Sequence, residues 1–131
     1  MCGIAGYLNL NGRASAGTLH QMLSTIEHRG PDGLSGFVDK QVALGTARLS
    51  IVDLEGGSQP ALSENRDVCV VFNGEIYNYL EERDLLIQKG HLFSTNSEVE
   101  TLLGLYTEFG PKFVERLNGQ FAIAIWDGRN E

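Results

Sequence analysis

The chain opens with the residues Met1-Cys2-Gly3-Ile4-Ala5-Gly6-Tyr7. Cysteine is small enough to permit removal of the initiator methionine, and Cys2 would then carry both a thiol and a free α-amine. Thiols are mostly protonated at neutral pH, whereas an α-amine titrates near neutrality and can accept the thiol proton. A nucleophile and its base would thus share one residue. Because cysteine also occurs second by chance, the remaining sequence must supply a substrate site.

The hydrophobic pattern around this stretch predicts alternating strands and helices. Residues 3–10 alternate small and apolar groups, as a strand does, and end at the turn signal Asn11-Gly12. Further strands are predicted over residues 34–39, 42–47, 67–72 and 120–126. Helices are predicted over residues 15–28 and 77–89, from Ser97 to the break at Gly110-Pro111, and over 113–117. This order predicts an α+β fold in which a sheet holds the N-terminus.

The composition is that of a soluble globular domain. The chain has 131 residues, 42% hydrophobic and 21% charged, which is enough for one hydrophobic core. Its net charge of −7 disfavours nucleic acid and anionic membranes as partners. No basic segment leads into an apolar stretch, and the apolar run 121–126 is too short to span a bilayer. We therefore expect no nucleic acid, no membrane and a cytoplasmic location.

The cysteines and histidines do not form a metal-binding pattern. Cys69 lies in an apolar run, where a cysteine is usually a small buried hydrophobe, and we assign it no catalytic role. The histidines, His20, His28 and His91, lack the spacing of zinc ligands. The sequence therefore predicts no metal site.

The last residues predict a domain that is truncated at its C-terminal edge. Residues 120–126 are apolar on both alternating faces, as in a strand covered on each side. Asp127-Gly128 is a hairpin signal, and only residues 129–131 follow it. A strand of this kind would leave an open sheet edge. We expect residues 1–131 to form one incomplete domain.

Several motifs occur together along the chain. In order, they are Cys2-Gly3-Ile4-Ala5-Gly6, His28-Arg29-Gly30-Pro31-Asp32, Arg48-Leu49-Ser50-Ile51-Val52-Asp53, Gln59-Pro60, Phe72-Asn73-Gly74-Glu75-Ile76-Tyr77-Asn78 and Thr95-Asn96-Ser97-Glu98-Val99-Glu100. Together they resemble the glutaminase domain of class II (N-terminal nucleophile) glutamine amidotransferases, most closely the glutamine-hydrolysing asparagine synthetase type. The resemblance covers nearly the whole chain and implies the αββα sandwich of N-terminal nucleophile hydrolases.

The resemblance implies an oxyanion site at Asn73 and Gly74. Amide hydrolysis passes through a tetrahedral oxyanion, which needs hydrogen-bond donors fixed where its charge develops. The side-chain amide of Asn73 and the backbone N–H of Gly74 would be these donors, at the end of the strand predicted over 67–72. An isolated Asn-Gly pair is usually only a turn, but the accompanying motifs favour the catalytic role.

The resemblance also implies a pocket for the α-carboxylate of glutamine. The planar guanidinium of Arg48 is suited to a bidentate bond with a carboxylate. Backbone groups of Leu49, Ile51 and Val52 would line the same pocket. His28 and Arg29 look like residues that support the N-terminus.

Two carboxylates, Glu75 and Glu98, would bind the α-ammonium of glutamine. The family has an aspartate where this chain has Glu98, so the charge is kept on a side chain that is one methylene longer. Ser97 and Glu100 have the spacing of a helix capping box, but so do Thr95 and Glu98. Glu98 would either bind the ammonium or only cap a helix, and the sequence leaves both roles open.

The implied reaction is hydrolysis of L-glutamine to glutamate and ammonia through a Cys2 thioester, with no cofactor in this domain. In the family the ammonia passes to a C-terminal synthetase domain that uses ATP and magnesium. That domain is absent from residues 1–131 and would be the partner in a full-length chain. Homodimer formation and the acceptor of the ammonia stay open.

The alternative is an inactive glutaminase-like remnant with a regulatory or assembly role. The expected truncation and Glu98 favour this interpretation. Retention of Met1 would favour it too, because Cys2 would then carry an amide nitrogen in place of the α-amine.

Overall fold

The computed structural model describes residues 2–49 and 58–130. Within these ranges the strands are β1 (Gly3–Leu8), β2 (Gly33–Asp39), β3 (Val42–Arg48), β4 (Ala61–Leu62), β5 (Val68–Ile76) and β6 (Gly119–Asp127). The α-helices are α1 (Ala16–Thr25), α2 (Tyr79–Gln88) and α3 (Glu98–Phe109). Short 3₁₀ helices cover Glu27–Arg29, Gly110–Arg116 and Gly128–Asn130.

The strands form two antiparallel sheets, each with its most buried strand in the middle. In the first sheet β3 lies between β1 and β2, and in the second β5 lies between β4 and β6. All residues of β3 from 42 to 47 are buried, as are those of β5 from 68 to 72. Such strands need apolar residues on both faces, which explains the apolar sequence of β5 from 68 to 72. In β3 the buried Thr46 is polar, and its hydroxyl donates to the Gly3 carbonyl.

Three hydrophobic clusters join the elements into layers. Leu19 and Leu23 of α1 pack on the first sheet with Ala43. Between the sheets lie Phe37, Val42, Leu44, Cys69 and Val71. On the far side of the second sheet, Val68, Val70 and Phe72 pack with Val99, Leu102 and Leu105 of α3. The layers are therefore helix, sheet, sheet, helix, which is the expected αββα order.

Strand β5 differs from its prediction. We expected a strand to end at Asn73-Gly74, but β5 continues to Ile76. Asn73 pairs with Ala122 of β6 and Gly74 pairs with Phe121. The local turn signal is overridden because β6, which is distant in sequence, extends the ladder past these residues.

Strand β6 also differs from its prediction. Residues 123–126 join the clusters on either side of the second sheet, but residues 120–122 are exposed, and Phe121 is 41% exposed. The prediction of a strand covered on both faces is therefore wrong for this half of β6, which extends beyond the packed layers. The predicted hairpin turn at Asp127-Gly128 is also wrong, because Gly128 begins a 3₁₀ helix. No helix in the described ranges has the length and apolar character to cross a membrane.

Candidate active site

Cys2 immediately precedes β1, and its thiol is held by the backbone of one residue. The Leu49 N–H donates a hydrogen bond to Cys2 Sγ at 3.2 Å, and the thiol donates to the Leu49 carbonyl at 3.5 Å. Arg29 Nε donates to the Cys2 carbonyl at 3.3 Å, and Thr46 Oγ1 donates to the Gly3 carbonyl at 3.1 Å. The N-terminal segment is therefore fixed to β3 and to the 3₁₀ helix before β2, and Arg29 supports it as the resemblance implies.

Arg48 ends β3 and is half-buried. Residues alternate between the two faces of a strand, so Arg48 shares a face with Val42 and Leu44, which face the second sheet. The same alternation puts Cys2 on the face of Ile4, which also joins the cluster between the sheets. Cys2 and Arg48 thus belong to the inner face of the first sheet. Ile51 and Val52, the other expected pocket residues, lie outside the described ranges.

Asn73 belongs to the opposing inner face. It alternates with Cys69 and Val71, which pack between the sheets, and it is half-buried. Both β1 and β3 contact β5. The fold therefore brings the strands that carry Cys2 and Arg48 against the strand that carries Asn73.

Gly74 is fixed in a conformation that other residues rarely adopt. Its φ is 142°, and a Cβ atom added there would lie 2.1 Å from the Gln120 carbonyl oxygen and 2.7 Å from Phe121 Cα. Strand β6 thus approaches the backbone at Gly74 too closely for a side chain. The peptide group that carries the Gly74 N–H is held in place by this contact.

Glu98 is the first residue of α3 and reaches the end of β5. Its Oε2 accepts a hydrogen bond from the Ile76 N–H at 3.1 Å. Burial raises the pKa of Glu98, the Ile76 hydrogen bond opposes this shift, and the nearby Glu75 carboxylate adds to it. The two predicted ammonium ligands, Glu75 and Glu98, are therefore close enough to interact.

The capping role of Glu98 opposite Thr95 is wrong. The N-cap of α3 is Ser97, whose hydroxyl accepts from the Glu100 N–H at 3.3 Å. Thr95 is bonded by Glu100, which leaves Glu98 to reach the end of β5. Of the two roles that the sequence left open, binding of the substrate ammonium by Glu98 stays a prediction.

For Glu100 the sequence predicts only a capping box with Ser97. One carboxylate oxygen accepts from the Ser94 N–H at 2.8 Å, and the other accepts from both the N–H, at 2.8 Å, and the hydroxyl of Thr95. Glu100 therefore fixes the turn that leads into Glu98. The capping-box spacing of Ser97 and Glu100 was a usable signal, although the Ser97 N–H donates to Thr95 Oγ1 and not to Glu100.

Gln59 belongs to one of the motifs but was assigned no role from the sequence. Its side chain bonds both backbone groups of Phe72, the residue before Asn73: Nε2 donates to the Phe72 carbonyl at 2.9 Å, and Oε1 accepts from the Phe72 N–H at 2.7 Å. The backbone carbonyl of Gln59 accepts from the Ser35 hydroxyl. These contacts could not be read from the sequence, because β4 has only two residues and leaves no pattern.

Cys69 lies between the sheets and is fully buried. Burial raises the pKa of its thiol to about 12, so the thiol stays protonated. Its predicted role as a small buried hydrophobe is confirmed. Across residues 2–49 and 58–130, no three His, Cys, Asp or Glu side chains are grouped as metal ligands.

The model of the glutamine amidotransferase domain family matches residues 1–131. The chain belongs to this family. Among curated amidotransferase-domain relatives, asparagine synthetase [glutamine-hydrolyzing] 1 of Bacillus subtilis is 41% identical and asparagine synthetase [glutamine-hydrolyzing] 2 of the same organism is 44% identical. Each match covers 97% of this chain, but only 21% and 17% of the respective relative. This amidotransferase domain thus spans about a fifth of those relatives.

Solved amidotransferases have the same fold. The glutamine phosphoribosylpyrophosphate amidotransferase from B. subtilis, solved in complex with ADP and GMP, superposes with a TM-score of 0.77 at 18% identity, over 98% of this chain and 35% of that one. The similarity confirms the mixed αββα architecture that the motifs implied.

Proposed function

We propose that this chain is a glutaminase domain that hydrolyses the side-chain amide of L-glutamine through a thioester on Cys2. The observation that carries the proposal is the pair of hydrogen bonds between the Cys2 thiol and the backbone of Leu49. Leu49 is the residue that follows Arg48. This contact couples the nucleophile to the segment expected to bind the substrate carboxylate. Family membership supports the same reaction.

The first step uses Cys2 alone as nucleophile and base. With Met1 removed, the Cys2 α-amine accepts the thiol proton, directly or through a water molecule. The Leu49 N–H already donates to Sγ and would stabilise the thiolate. The thiolate then attacks the amide carbon of glutamine, and the C=O π electrons move to oxygen.

The resulting oxyanion is bound by Asn73 and Gly74. Donors that are fixed before the reaction cost no reorganisation when charge develops, which is why rigid positions suit this role. Gly74 is held by the close approach of β6, and Asn73 is paired within the same ladder. These constraints support the side-chain amide of Asn73 and the backbone N–H of Gly74 as the two donors.

The tetrahedral species then collapses to a thioester, which water hydrolyses in a second step. The protonated α-amine gives its proton to the amide nitrogen, the C–N bond breaks, and ammonia leaves a γ-glutamyl thioester on Cys2. The amine next takes a proton from water, the hydroxide attacks the thioester, and the C–S bond breaks. The protonated α-amine returns its proton to the Cys2 thiolate and glutamate leaves, without a cofactor in this domain.

The charged groups at the rim of the site would bind the two ends of glutamine. We assign the α-carboxylate to Arg48, with backbone groups of Leu49, Ile51 and Val52 lining the pocket. We assign the α-ammonium to Glu98 and Glu75. Because Glu98 uses one carboxylate oxygen for the Ile76 N–H, the other would accept from the ammonium. This anchor offers a means of holding the longer side chain where the family has aspartate.

We further propose that residues 1–131 are the glutaminase part of a larger protein. The asparagine synthetases that match this chain are about five times its length. The ammonia would then pass to a C-terminal synthetase domain, to which ATP and magnesium would belong, for the amidation of a carboxylate acceptor.

Glutamate release from glutamine tests the proposal. The protein is prepared with a verified N-terminal Cys2 and compared with Cys2→Ala and with a form that retains Met1. We expect release only when both the thiol and the free α-amine are present. Absence of release from a protein whose mass confirms an exposed Cys2 would instead support the inactive remnant with a regulatory or assembly role.

A further inference from the structure

We propose that Gln59 is a positioning residue that sets the oxyanion donor Asn73 relative to Cys2. The inference rests on the proposed glutaminase function, in which Asn73 binds the oxyanion. Gln59 bonds both backbone groups of Phe72, which is covalently joined to Asn73. It does not touch the substrate and would act only through the strand.

The side chain of Gln59 takes the place of a missing strand partner. In the ladder between β4 and β5, Ala61 pairs with Val70 and Leu62 with Cys69. Continuing this antiparallel register puts residue 59 opposite Phe72. There the side-chain amide, which has one donor and one acceptor in the geometry of a peptide group, makes the pair of bonds that a backbone would make.

The backbone of Gln59 makes a second connection, to the other sheet. Its carbonyl accepts from the hydroxyl of Ser35 in β2, which belongs to the first sheet. One residue therefore bonds the strand that carries Asn73 and the sheet whose β1 follows Cys2. Apolar packing between the sheets is not directional, whereas these hydrogen bonds fix a distance and an angle.

The rate of the reaction should depend on this connection. Oxyanion stabilisation requires donors that are placed where the charge develops, and an error of about 1 Å can cost roughly 100-fold in rate. Without Gln59, β5 keeps its bonds to β6 but loses its partner on the other side at Phe72. Asn73 would then sample positions that are less suited to the tetrahedral species.

The first measurement is steady-state glutamate release by Gln59→Ala and Gln59→Glu. Glutamate at this position keeps the acceptor for the Phe72 N–H but has no donor for the Phe72 carbonyl. We expect kcat to fall about 10- to 100-fold in Gln59→Ala, with KM for glutamine changed by less than about threefold. Gln59→Glu should also lose activity, since its carboxylate faces that carbonyl.

A double-mutant cycle with Asn73→Ala identifies the route of the effect. If Gln59 acts through Asn73, then adding Gln59→Ala to Asn73→Ala should lower kcat by less than about twofold more. Independent, multiplicative losses would overturn the inference, as would a Gln59→Ala protein with the wild-type kcat.

Ser63→Ala is the matched control for a general loss of stability. Ser63 also bonds β5 through its side chain, accepting from the Val68 N–H at 3.0 Å, but at the end of the strand away from Asn73. Its removal should lower the unfolding midpoint without lowering kcat. A fall in kcat equal to that of Gln59→Ala would overturn the positioning role. If the wild-type protein with exposed Cys2 releases no glutamate, the proposed function itself fails. If the wild type is active but the losses of kcat from Gln59→Ala and Asn73→Ala multiply, only the role of Gln59 is overturned.

Discussion

At Glu98, the proposed binding of substrate and the stability of the fold place opposite demands on one carboxylate. Burial raises its pKa, the Ile76 N–H opposes the shift, and the Glu75 carboxylate adds to it. Ionised Glu98 is the form that would bind an ammonium group, but it is also the form that the fold disfavours. A cationic substrate would relieve this cost by placing positive charge between the two carboxylates.

Glu98→Gln should therefore stabilise the protein at neutral pH. A carboxyl group whose pKa is raised on folding binds more protons in the folded protein than in the unfolded one. The free energy of unfolding therefore falls as pH rises from the ordinary Glu pKa through the raised one. The substituted side chain cannot ionise, and its amide oxygen can still accept from the Ile76 N–H. Urea unfolding at several pH values should show a gain over wild type that shrinks toward acid.

Glu108→Gln provides a control of opposite sign. The hydrogen bond with His91 lowers the pKa of Glu108. Ionised Glu108 therefore stabilises the fold above the ordinary Glu pKa, and this contribution is lost as pH falls through the lowered pKa. Its replacement should make the protein less stable at neutral pH, by an amount that shrinks toward acid. A Glu98→Gln gain that is constant across pH would contradict the first prediction.

The same substitution at Glu98 should weaken glutamine binding. A hydrogen bond to a charged group contributes roughly 1.5–3 kcal/mol, so loss of the ionised carboxylate should raise KM by about 10- to 100-fold. In wild type KM should rise as pH falls through the pKa of Glu98, and this rise should be absent in Glu98→Gln. Glu98→Asp, which keeps the charge, should keep the pH dependence. Identical profiles for wild type and Glu98→Gln would remove Glu98 from the ammonium site.

Gly74→Ala tests the close approach of β6 to β5 at the proposed oxyanion donor. The added Cβ would meet the Gln120 carbonyl at 2.1 Å and would also require a φ of 142°. Strain and overpacking together should cost roughly 2–5 kcal/mol of unfolding free energy, with loss of glutamate release. Gly90→Ala separates the two causes, because Gly90 has a φ of 95° and a Cβ added there would have no atom within 4 Å. It should cost only about 1–2 kcal/mol and leave activity unchanged.

At the level of elements, the start of α3 determines where Glu98 lies. Ser97 accepts from the Glu100 N–H, while the Glu100 carboxylate holds the preceding turn through Ser94 and Thr95. The N-cap of the helix is therefore fixed at Ser97, and the candidate ammonium ligand Glu98 follows it as the first residue of α3. If Glu98 binds the substrate as proposed, stability of the cap and recognition of substrate are coupled here.

Comparison of Ser97→Ala with Ser15→Ala tests whether the N-cap of α3 affects substrate binding as well as stability. Loss of an N-cap hydroxyl costs about 1 kcal/mol of unfolding free energy. Ser15→Ala removes the corresponding bond of α1, which Ser15 accepts from the Thr18 N–H at 3.0 Å. Denaturation should show similar losses for both, but only Ser97→Ala should raise KM for glutamine. Equal KM values would indicate that the cap does not position Glu98.

The elements also show how far the sequence could predict this fold. The apolar run of β5 predicts a buried strand, because local pattern follows directly from burial on two faces, whereas the pattern of β3 predicts a strand without its burial. The end of β5 was not predictable, since Asn73 and Gly74 read locally as a turn while their pairing partners lie in β6. The Gln59 contact was hidden for the same reason. Motifs indicated Cys2, Arg48 and Glu98 as site residues, but only the fold relates Cys2 to Leu49 and Glu98 to Ile76.

For the whole molecule, the candidate site depends on the spacing of the two sheets. Cys2 and Arg48 belong to the inner face of the first sheet and Asn73 to that of the second, with Val71 packed between them. No backbone ladder joins β1 or β3 to β5 in the described part of the chain, so the sheets meet through side-chain packing, the Gln59 contact with Ser35 and the hydrogen bond from Trp126 to Asp39. Cys2 and Asn73, the proposed nucleophile and oxyanion donor, are therefore separated by a packed interface.

Comparison of Val71→Ala with Val70→Ala tests whether kcat depends on packing between the sheets or equally on packing beneath α3. Both valines are almost completely buried, at 1% and 0% exposure, but Val71 packs between the sheets and Val70 packs with α3. Removing two methyl-sized groups from either site should cost roughly 2–3 kcal/mol of unfolding free energy, since the lost burial is the same. Only Val71→Ala leaves a cavity between the two sheets. At temperatures well below the melting transition, only this variant should therefore have a lower kcat than wild type. Equal kcat values in two equally destabilised proteins would mean that sheet spacing does not control the reaction.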